Sequence, residues 1–299
     1  MSYAYASCFA LAGIILIIIM SARTSATIES VLITGANSGV GKECARQLSL
    51  LPQMKRIVLG CRDRVKAQEA KVDLERATRS RSTTNEMGVV FEILILDLSN
   101  IESVKGAIEE LTDPVDVVVM NAGGLGGKTP GRVLEDQGGF SSIFCANVAG
   151  HVVLLDGLVE AGKLSRTAIY AGSEAARGLP VMGYPKPRIE TGSVDEFQSI
   201  CDGSFFADSR DAKTMYAHTK YVGALWMGSA SRQYPQHRMI AVSPGATSGT
   251  NSAAHMEPTV QFVQKTLLFP FMQCFGLDAS SGGLFILHTF EMELYSQTQ

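Results

Sequence analysis

The run Ser30-Val31-Leu32-Ile33-Thr34-Gly35-Ala36-Asn37-Ser38-Gly39-Val40-Gly41-Lys42-Glu43 decides the fold of this 299-residue chain. An aliphatic stretch of strand length ends at Thr34, three glycines follow, and an amphipathic pattern begins at Lys42. Glycine at such a turn admits positive φ and lets the backbone come close to a ligand. A helix that starts there offers unpaired N–H groups and the positive end of its dipole to an anion. Strand, glycine turn and helix in that order mark a dinucleotide pyrophosphate site, whose candidate residues are Gly35, Asn37, Ser38, Gly39, Val40 and Gly41. Gly41-Lys42 also suggests the ending of a P-loop. That reading fails, because the first glycine stands one residue too far away and Glu43 replaces the Ser or Thr that would hold magnesium.

The alternation continues outward. Ser30–Thr34, Arg56–Gly60, Val89–Leu96, Val115–Met120, Arg166–Ala171 and Met239–Val242 are short Val/Ile/Leu-rich runs of strand length. Amphipathic segments near Lys42–Leu50, Val65–Arg79, Ile101–Leu111, Ser142–Ala161 and Ala217–Gln233 lie between them. Strands alternating with helices predict a parallel sheet covered on both faces, a doubly wound α/β fold of Rossmann type. With no internal repeat and no Pro/Ser-rich linker, residues 27–299 form one domain. Such sheets bind ligands beyond the carboxyl ends of their strands, where the order of connection reverses.

Each strand end therefore matters. An NAD site places an acid at the end of the second strand to bond the ribose 2′-hydroxyl, about 20 residues past the glycines. Here Cys61 and Arg62 stand there. A guanidinium holds a 2′-phosphate that a carboxylate would repel, so the pattern predicts NADP(H), although Asp63 follows at once. Asp97 and Leu98 close the third strand and Asn121, Ala122 and Gly123 the fourth, as candidate contacts for adenine and the cofactor backbone. Each would also serve as a plain cap or turn, and they argue as a set.

Composition sets the limits. Hydrophobic residues make up 46% and charged residues 18%, enough for a sizeable core. A net charge of -3, with Arg76, Arg79 and Arg81 reading as a solvated loop, argues against nucleic-acid binding. Six cysteines show no CxxC pair and five histidines no HExxH, so neither a disulfide framework nor a metal site is expected. From Tyr3 to Ala22 there is no charged residue. A run of about 20 apolar residues spans a bilayer as one helix, so residues 1–26 are expected to anchor the chain in a membrane. Arg23 just after it points to a cytosolic catalytic domain, on the endoplasmic reticulum or another organelle. The alternative is a cleaved signal or transit peptide, with small residues at Thr24-Ser25-Ala26.

Taken together, Thr34–Glu43 and Cys61-Arg62-Asp63 resemble the short-chain dehydrogenase/reductase family, and within it the retinol dehydrogenases and light-dependent protochlorophyllide reductases. The resemblance runs from about Val31 to Thr250. It implies a four-residue active site, carried over where positions match. Tyr216-Ala-His-Thr-Lys220 matches the family's YxxxK, Ser173 its serine, and Asn147 its helix asparagine. Tyr216 and Lys220 also face the nicotinamide, as do Pro244, Gly245 and Thr247 (or Thr250) after the sixth strand. The chemistry agrees. Carbonyl reduction needs a proton donor beside the oxygen, and a tyrosine of pKa about 10 is a poor one near neutrality. A lysine one helical turn later favours phenolate by its charge. Ser173 is suited to bond the developing alkoxide, and Asn147 to hold a water that relays protons toward Lys220.

Two features depart from the simpler members. Ser173 and Tyr216 are separated by 42 residues, an insert too long for a structureless connection and expected to cover the substrate. The chain also stops soon after Leu287, which leaves the family's last strand short or missing. Phe205, Phe206, Phe262, Leu267, Leu268, Phe269, Phe271, Met272 and Phe275 crowd the segments that would wall the pocket. With the anchor, they point to a lipophilic carbonyl or alcohol such as a retinoid, steroid or fatty aldehyde. Two alternatives stand beside this reading: a light-dependent reductase of a protochlorophyllide ring C=C, and a catalytically silent NADP(H)-binding membrane subunit.

Overall fold

The computed structural model describes residues 28–79, 88–127, 129–207 and 211–243. Six parallel strands make the sheet: β1 (Ser30–Thr34), β2 (Arg56–Cys61), β3 (Val90–Ile95), β4 (Val115–Met120), β7 (Leu164–Ala171) and β8 (Arg238–Val242). Their order is β3-β2-β1-β4-β7-β8. A separate two-stranded hairpin, β5 (Val133–Leu134) and β6 (Phe140–Ser141), precedes the central helix. The order of connection reverses between β1 and β4, which pair directly through Val31–Val117, Leu32–Val118 and Ile33–Val119. Both faces are packed, which is why the strands are near-continuous apolar runs rather than alternating ones. Val31, Ile33, Val117 and Val119 point to one core, with α1 (Gly39–Leu48) and α2 (Arg64–Arg79) over it. Leu32, Val118, Met120 and Tyr170 point to the other. Against that face lie α3 (Ile101–Glu110), a continuous helix α4 through residues 142–160, and α6 (Ala212–Gln233).

The expected architecture stands, with differences at the edges. Asp211 caps α6 by accepting from the Thr214 N–H at 2.9 Å, so the helix begins at Ala212 rather than Ala217 and holds Tyr216 within its second turn. Within α4, Cys145–Ala149 forms a π turn. The helix is long and apolar enough to cross a membrane, yet Leu154, Leu155 and Leu158 are fully buried in the sheet-facing core. It is a core helix. Residues 3–22, the C-terminal candidates Pro244, Gly245, Thr247 and Thr250, and the apolar segment from Phe262 to Phe275 lie outside the described residues.

The insert carries its own structure, as its length demands. It holds short 3-10 turns at Glu174–Arg177, Pro180–Met182 and Ser204–Phe206 around the helix α5 (Val194–Asp202). Ile200 and Phe206 join Ile143 and Met215 in a small core of their own. His218, inside the Tyr216–Lys220 motif, fastens the insert to α6. Its Nδ1 bonds the Thr214 carbonyl at 2.9 Å, which fixes the proton on Nδ1, and its Nε2 accepts from the Arg188 N–H at 3.3 Å. Phe205 and Phe206 pack on the His218 ring at 5.4 and 5.2 Å between centroids.

Candidate active site

The glycine turn is built for close approach. Gly35 and Gly39 take φ of +68° and +54°, where a side chain would be strained. A Cβ on Gly41 would sit 2.5 Å from the Gly35 carbonyl oxygen, so only glycine lets α1 pack on the turn. Ser38 caps α1 without a side-chain hydrogen bond, and no acid stands in the first turn. The N–H groups of that turn, with Asn37 and Val40 beside them, are left to an anion.

Arg62 and Asp63 separate clearly. Arg62 is exposed at the end of β2 and makes no hydrogen bond or ion pair among the described residues. The Asp63 carboxylate is turned to α2, where it accepts from the Val65 and Lys66 N–H groups at 2.9 and 3.0 Å. Asp97 folds back on its own turn, accepting from the Ser99 N–H and hydroxyl at 3.0 and 2.6 Å. The Leu98 carbonyl meets Gly150 so closely that a Cβ there would overlap it. Asn121 ties the end of β4 to β1 by donating to the Thr34 carbonyl at 3.0 Å.

The four expected catalytic residues come together around Gly123. A Cβ on Gly123 would strike the Asn147 side-chain oxygen and lie 3.5 Å from Lys220 Nζ. Lys220 Nζ is 5.8 Å from the centre of the Tyr216 ring, and the Ser173 side chain lies close enough to Tyr216 to favour its phenolate. The Asn147 amide holds the turn after β4, donating to the Gly124 and Ile143 carbonyls at 2.9 and 2.8 Å and accepting from the Gly124 N–H at 3.0 Å.

Two groups that sequence reasoning passed over complete the arrangement. His151 is wholly buried, with Nδ1 on the Asn147 carbonyl at 3.1 Å and Nε2 on the Thr34 hydroxyl at 3.1 Å. The carbonyl can only accept, so the proton is on Nδ1 and Thr34 donates to Nε2. Burial depresses its pKa to about 3 and keeps it neutral. The Tyr170 hydroxyl also donates to the Asn147 carbonyl, at 3.2 Å, which fills the two lone pairs of that oxygen. His151 carried a signal in Asn147-Val-Ala-Gly-His151; Tyr170 carried none beyond a buried strand.

Electrostatics here follows burial. Desolvation lowers Lys220 to about 7 and raises Tyr216 to about 12, against the pull of the Ser173 side chain. Among the described residues Lys220 has no carboxylate partner, and it donates to the Ala171 carbonyl at 2.8 Å. No group of three His, Cys, Asp or Glu that could hold a metal occurs among these residues.

The short chain dehydrogenase family model matches residues 29–171. Retinol dehydrogenase 14 of Homo sapiens is 36% identical over 152 residues, 47% of this chain and 44% of that protein. Chloroplastic protochlorophyllide reductase of Cucumis sativus is 27% identical over 266 residues, 82% of this chain and 61% of that one. The first of these alignments spans less than half the length of the curated relative. A solved structure described as an NAD(P) dependent gluconate 5-dehydrogenase from Beutenbergia cavernae, with bound NADP, superposes with a TM-score of 0.51 at 17% identity. It covers 79% of each chain and carries a likeness of fold alone.

A prediction follows from the buried lysine. Its folded pKa of about 7 lies below the ordinary value of 10.5, so the unfolded chain binds more protons between these limits and stability rises with pH across them. Lys220→Met loses that dependence. In urea unfolding of the cofactor-free protein, the variant should be more stable than wild type at pH 7, with the gap closing toward pH 10. A gap that is constant with pH would mean that Lys220 is not desolvated.

Proposed function

We propose that this chain, whose residues 29–171 match the short chain dehydrogenase family model, is an NADP(H)-dependent oxidoreductase of that family acting on a lipophilic carbonyl or alcohol. The observation that carries this reading is the convergence of Asn147, Ser173, Tyr216 and Lys220 at the ends of β4 and β7, on the same sheet edge as the Gly35–Gly41 turn. When bound, the nicotinamide supplies or accepts hydride at the substrate carbon.

The chain's own residues do the rest. Tyr216 hands its proton to the carbonyl oxygen, and burial keeps it protonated at neutral pH, the state from which a reduction starts. Ser173, beside Tyr216, holds the oxygen as charge develops on it. Lys220 brings a positive charge to the same helix face and favours the phenolate left behind. Asn147 fixes the turn at Gly123–Gly124 through its amide. The Gly35–Gly41 cradle and the uncapped start of α1 fit a pyrophosphate. Arg62, exposed and unpaired among the described residues while Asp63 caps α2, fits a 2′-phosphate.

For the substrate, the support is apolar. The Tyr184 ring of the insert lies 6.1 Å from that of Tyr216, and the insert buries its own aromatic core. Residues 3–22, uncharged throughout, are proposed to hold the protein at a membrane with the catalytic domain on the cytosolic side. A second reading, light-driven reduction of a protochlorophyllide ring C=C on the same scaffold, is favoured by one observation. The alignment with protochlorophyllide reductase covers 82% of this chain, insert included, against 47% for retinol dehydrogenase 14. Assays of all-trans-retinal and protochlorophyllide with NADPH, in light and in darkness, separate the two.

Two substitutions test the assignment. Arg62→Asp should weaken NADPH binding by about 1.5–3 kcal/mol for each charge-assisted bond lost and leave NADH binding unchanged or improved, read by fluorescence titration. A wild type that prefers NADH contradicts it. Tyr216→Phe keeps the ring and removes the oxygen, so NADPH affinity should hold while turnover falls by about 10²-fold or more. Near-normal carbonyl reduction by that variant would place the proton donor elsewhere.

A further inference from the structure

Tyr170 has no part in the scheme above, yet it is the side chain most tightly built into the site. It lies on β7, three residues before Ser173, and is completely buried. The T-shaped rings of His151 and Trp226 hold its ring, with centroids at 6.0 and 5.9 Å. Gly223 on α6 makes room for it, since a Cβ there would overlap the Tyr170 hydroxyl and come within 2.7 Å of the ring carbon that bears it. That glycine stands in the middle of a 22-residue helix, where it is a weaker helix former than alanine. One face of the ring meets Lys220, whose Nζ is 4.8 Å from the centroid. The hydroxyl reaches the Asn147 carbonyl.

We propose that Tyr170 is a positioning residue for the active-site lysine, holding the Lys220 ammonium on its ring face while its hydroxyl anchors that ring to Asn147. The role in the reaction rests on the oxidoreductase reading; the placement of the lysine does not.

The physical case is a charge without a counterion. Lys220 is 3% exposed and has no ion pair among the described residues, and burial alone drives it toward the neutral form. Besides the Ala171 carbonyl, two aromatic faces are offered to it, Tyr170 at 4.8 Å and Tyr216 farther off at 5.8 Å, and such contacts gain strength when close and desolvated. The other titratable groups facing the lysine are Tyr216 on its own helix and His151 on α4. His151 is held neutral, with both ring nitrogens engaged, and Tyr216 is neutral below about pH 12. Neither supplies a negative charge at neutral pH. The Tyr170 ring thus favours the charged lysine, and the charged lysine is what stabilises the Tyr216 phenolate.

The experiment follows Lys220 directly. In full-length protein labelled with ¹³C at the lysine ε-carbons, the Lys220 signal is assigned by its loss in Lys220→Met and titrated with pH without cofactor. Tyr170→Phe keeps the ring face, so its inflection should stay within a few tenths of a unit of wild type. Pentafluorophenylalanine at position 170 keeps the shape and removes the electron-rich face, and should lower the inflection by roughly one pH unit. Tyr170→Leu should move it the same way, and the fluorinated ring keeps the test sharp if the leucine variant fails to fold. The pH profile of NADPH-dependent retinal reduction should shift with the inflection, and Tyr170→Phe should restore it. An unchanged inflection with the fluorinated ring overturns the proposal. A shifted inflection in a protein that reduces neither retinal nor protochlorophyllide supports the placement of the lysine and removes the oxidoreductase reading instead.

Discussion

The hydroxyl of Thr34 accepts the N–H groups of both Asn121 and Ala122 at 2.9 Å and gives its own hydrogen to His151. It stands at the end of β1, where the order of connection reverses, and draws the end of β4 and the middle of α4 onto the glycine turn. From His151 the bonds continue to the Asn147 carbonyl and from there to Tyr170. One buried polar network therefore joins the strand end at the glycine turn to Asn147 and to Tyr170, whose ring meets Lys220. In a low dielectric each bond of such a network is strengthened and each unpaired member is costly. The π turn at Cys145–Ala149 belongs to it, because it sets the register that brings Asn147 and His151 to their partners.

Against that ordered frame stands a local conflict. Lys220 is buried with no acid beside it among the described residues, and Tyr216 is desolvated with it. A core chosen for stability alone would carry neither. Sites kept at a cost to the fold are where chemistry is performed, and here the cost is concentrated on one turn of α6. The insert bears on the same turn from outside through His218, so insert and α6 are mechanically joined.

Much of this was legible in the chain. The six strands were readable because a sheet covered on both faces needs unbroken apolar runs, and the glycine turn because Gly35, Gly39 and Gly41 have no substitute at their backbone angles and contacts. The start of α6 was not, since its cap is Asp211 in a stretch read as loop, and α5 was passed over within that loop although Val194, Phe197, Ile200 and Cys201 recur at helical spacing. Arg62 pointed to NADP(H) in sequence although Asp63 follows it. A short-range fact separates them: Asp63 is spent on the first turn of α2. Tyr170 was invisible for a simpler reason. On a buried strand an aromatic residue reads as core, and only three-dimensional neighbours from α4 and α6 show that its ring meets a cation.

The account is tested most directly by following the hydride. NADPH deuterated at the transferring C4 position, incubated in darkness with all-trans-retinal and the full-length protein, should deliver one deuterium to the carbinol carbon of retinol. If deuterium instead appears only in illuminated protochlorophyllide, the carbonyl reading is wrong and the light-driven one replaces it. If no substrate acquires deuterium while NADPH binds, the site holds a cofactor without using it.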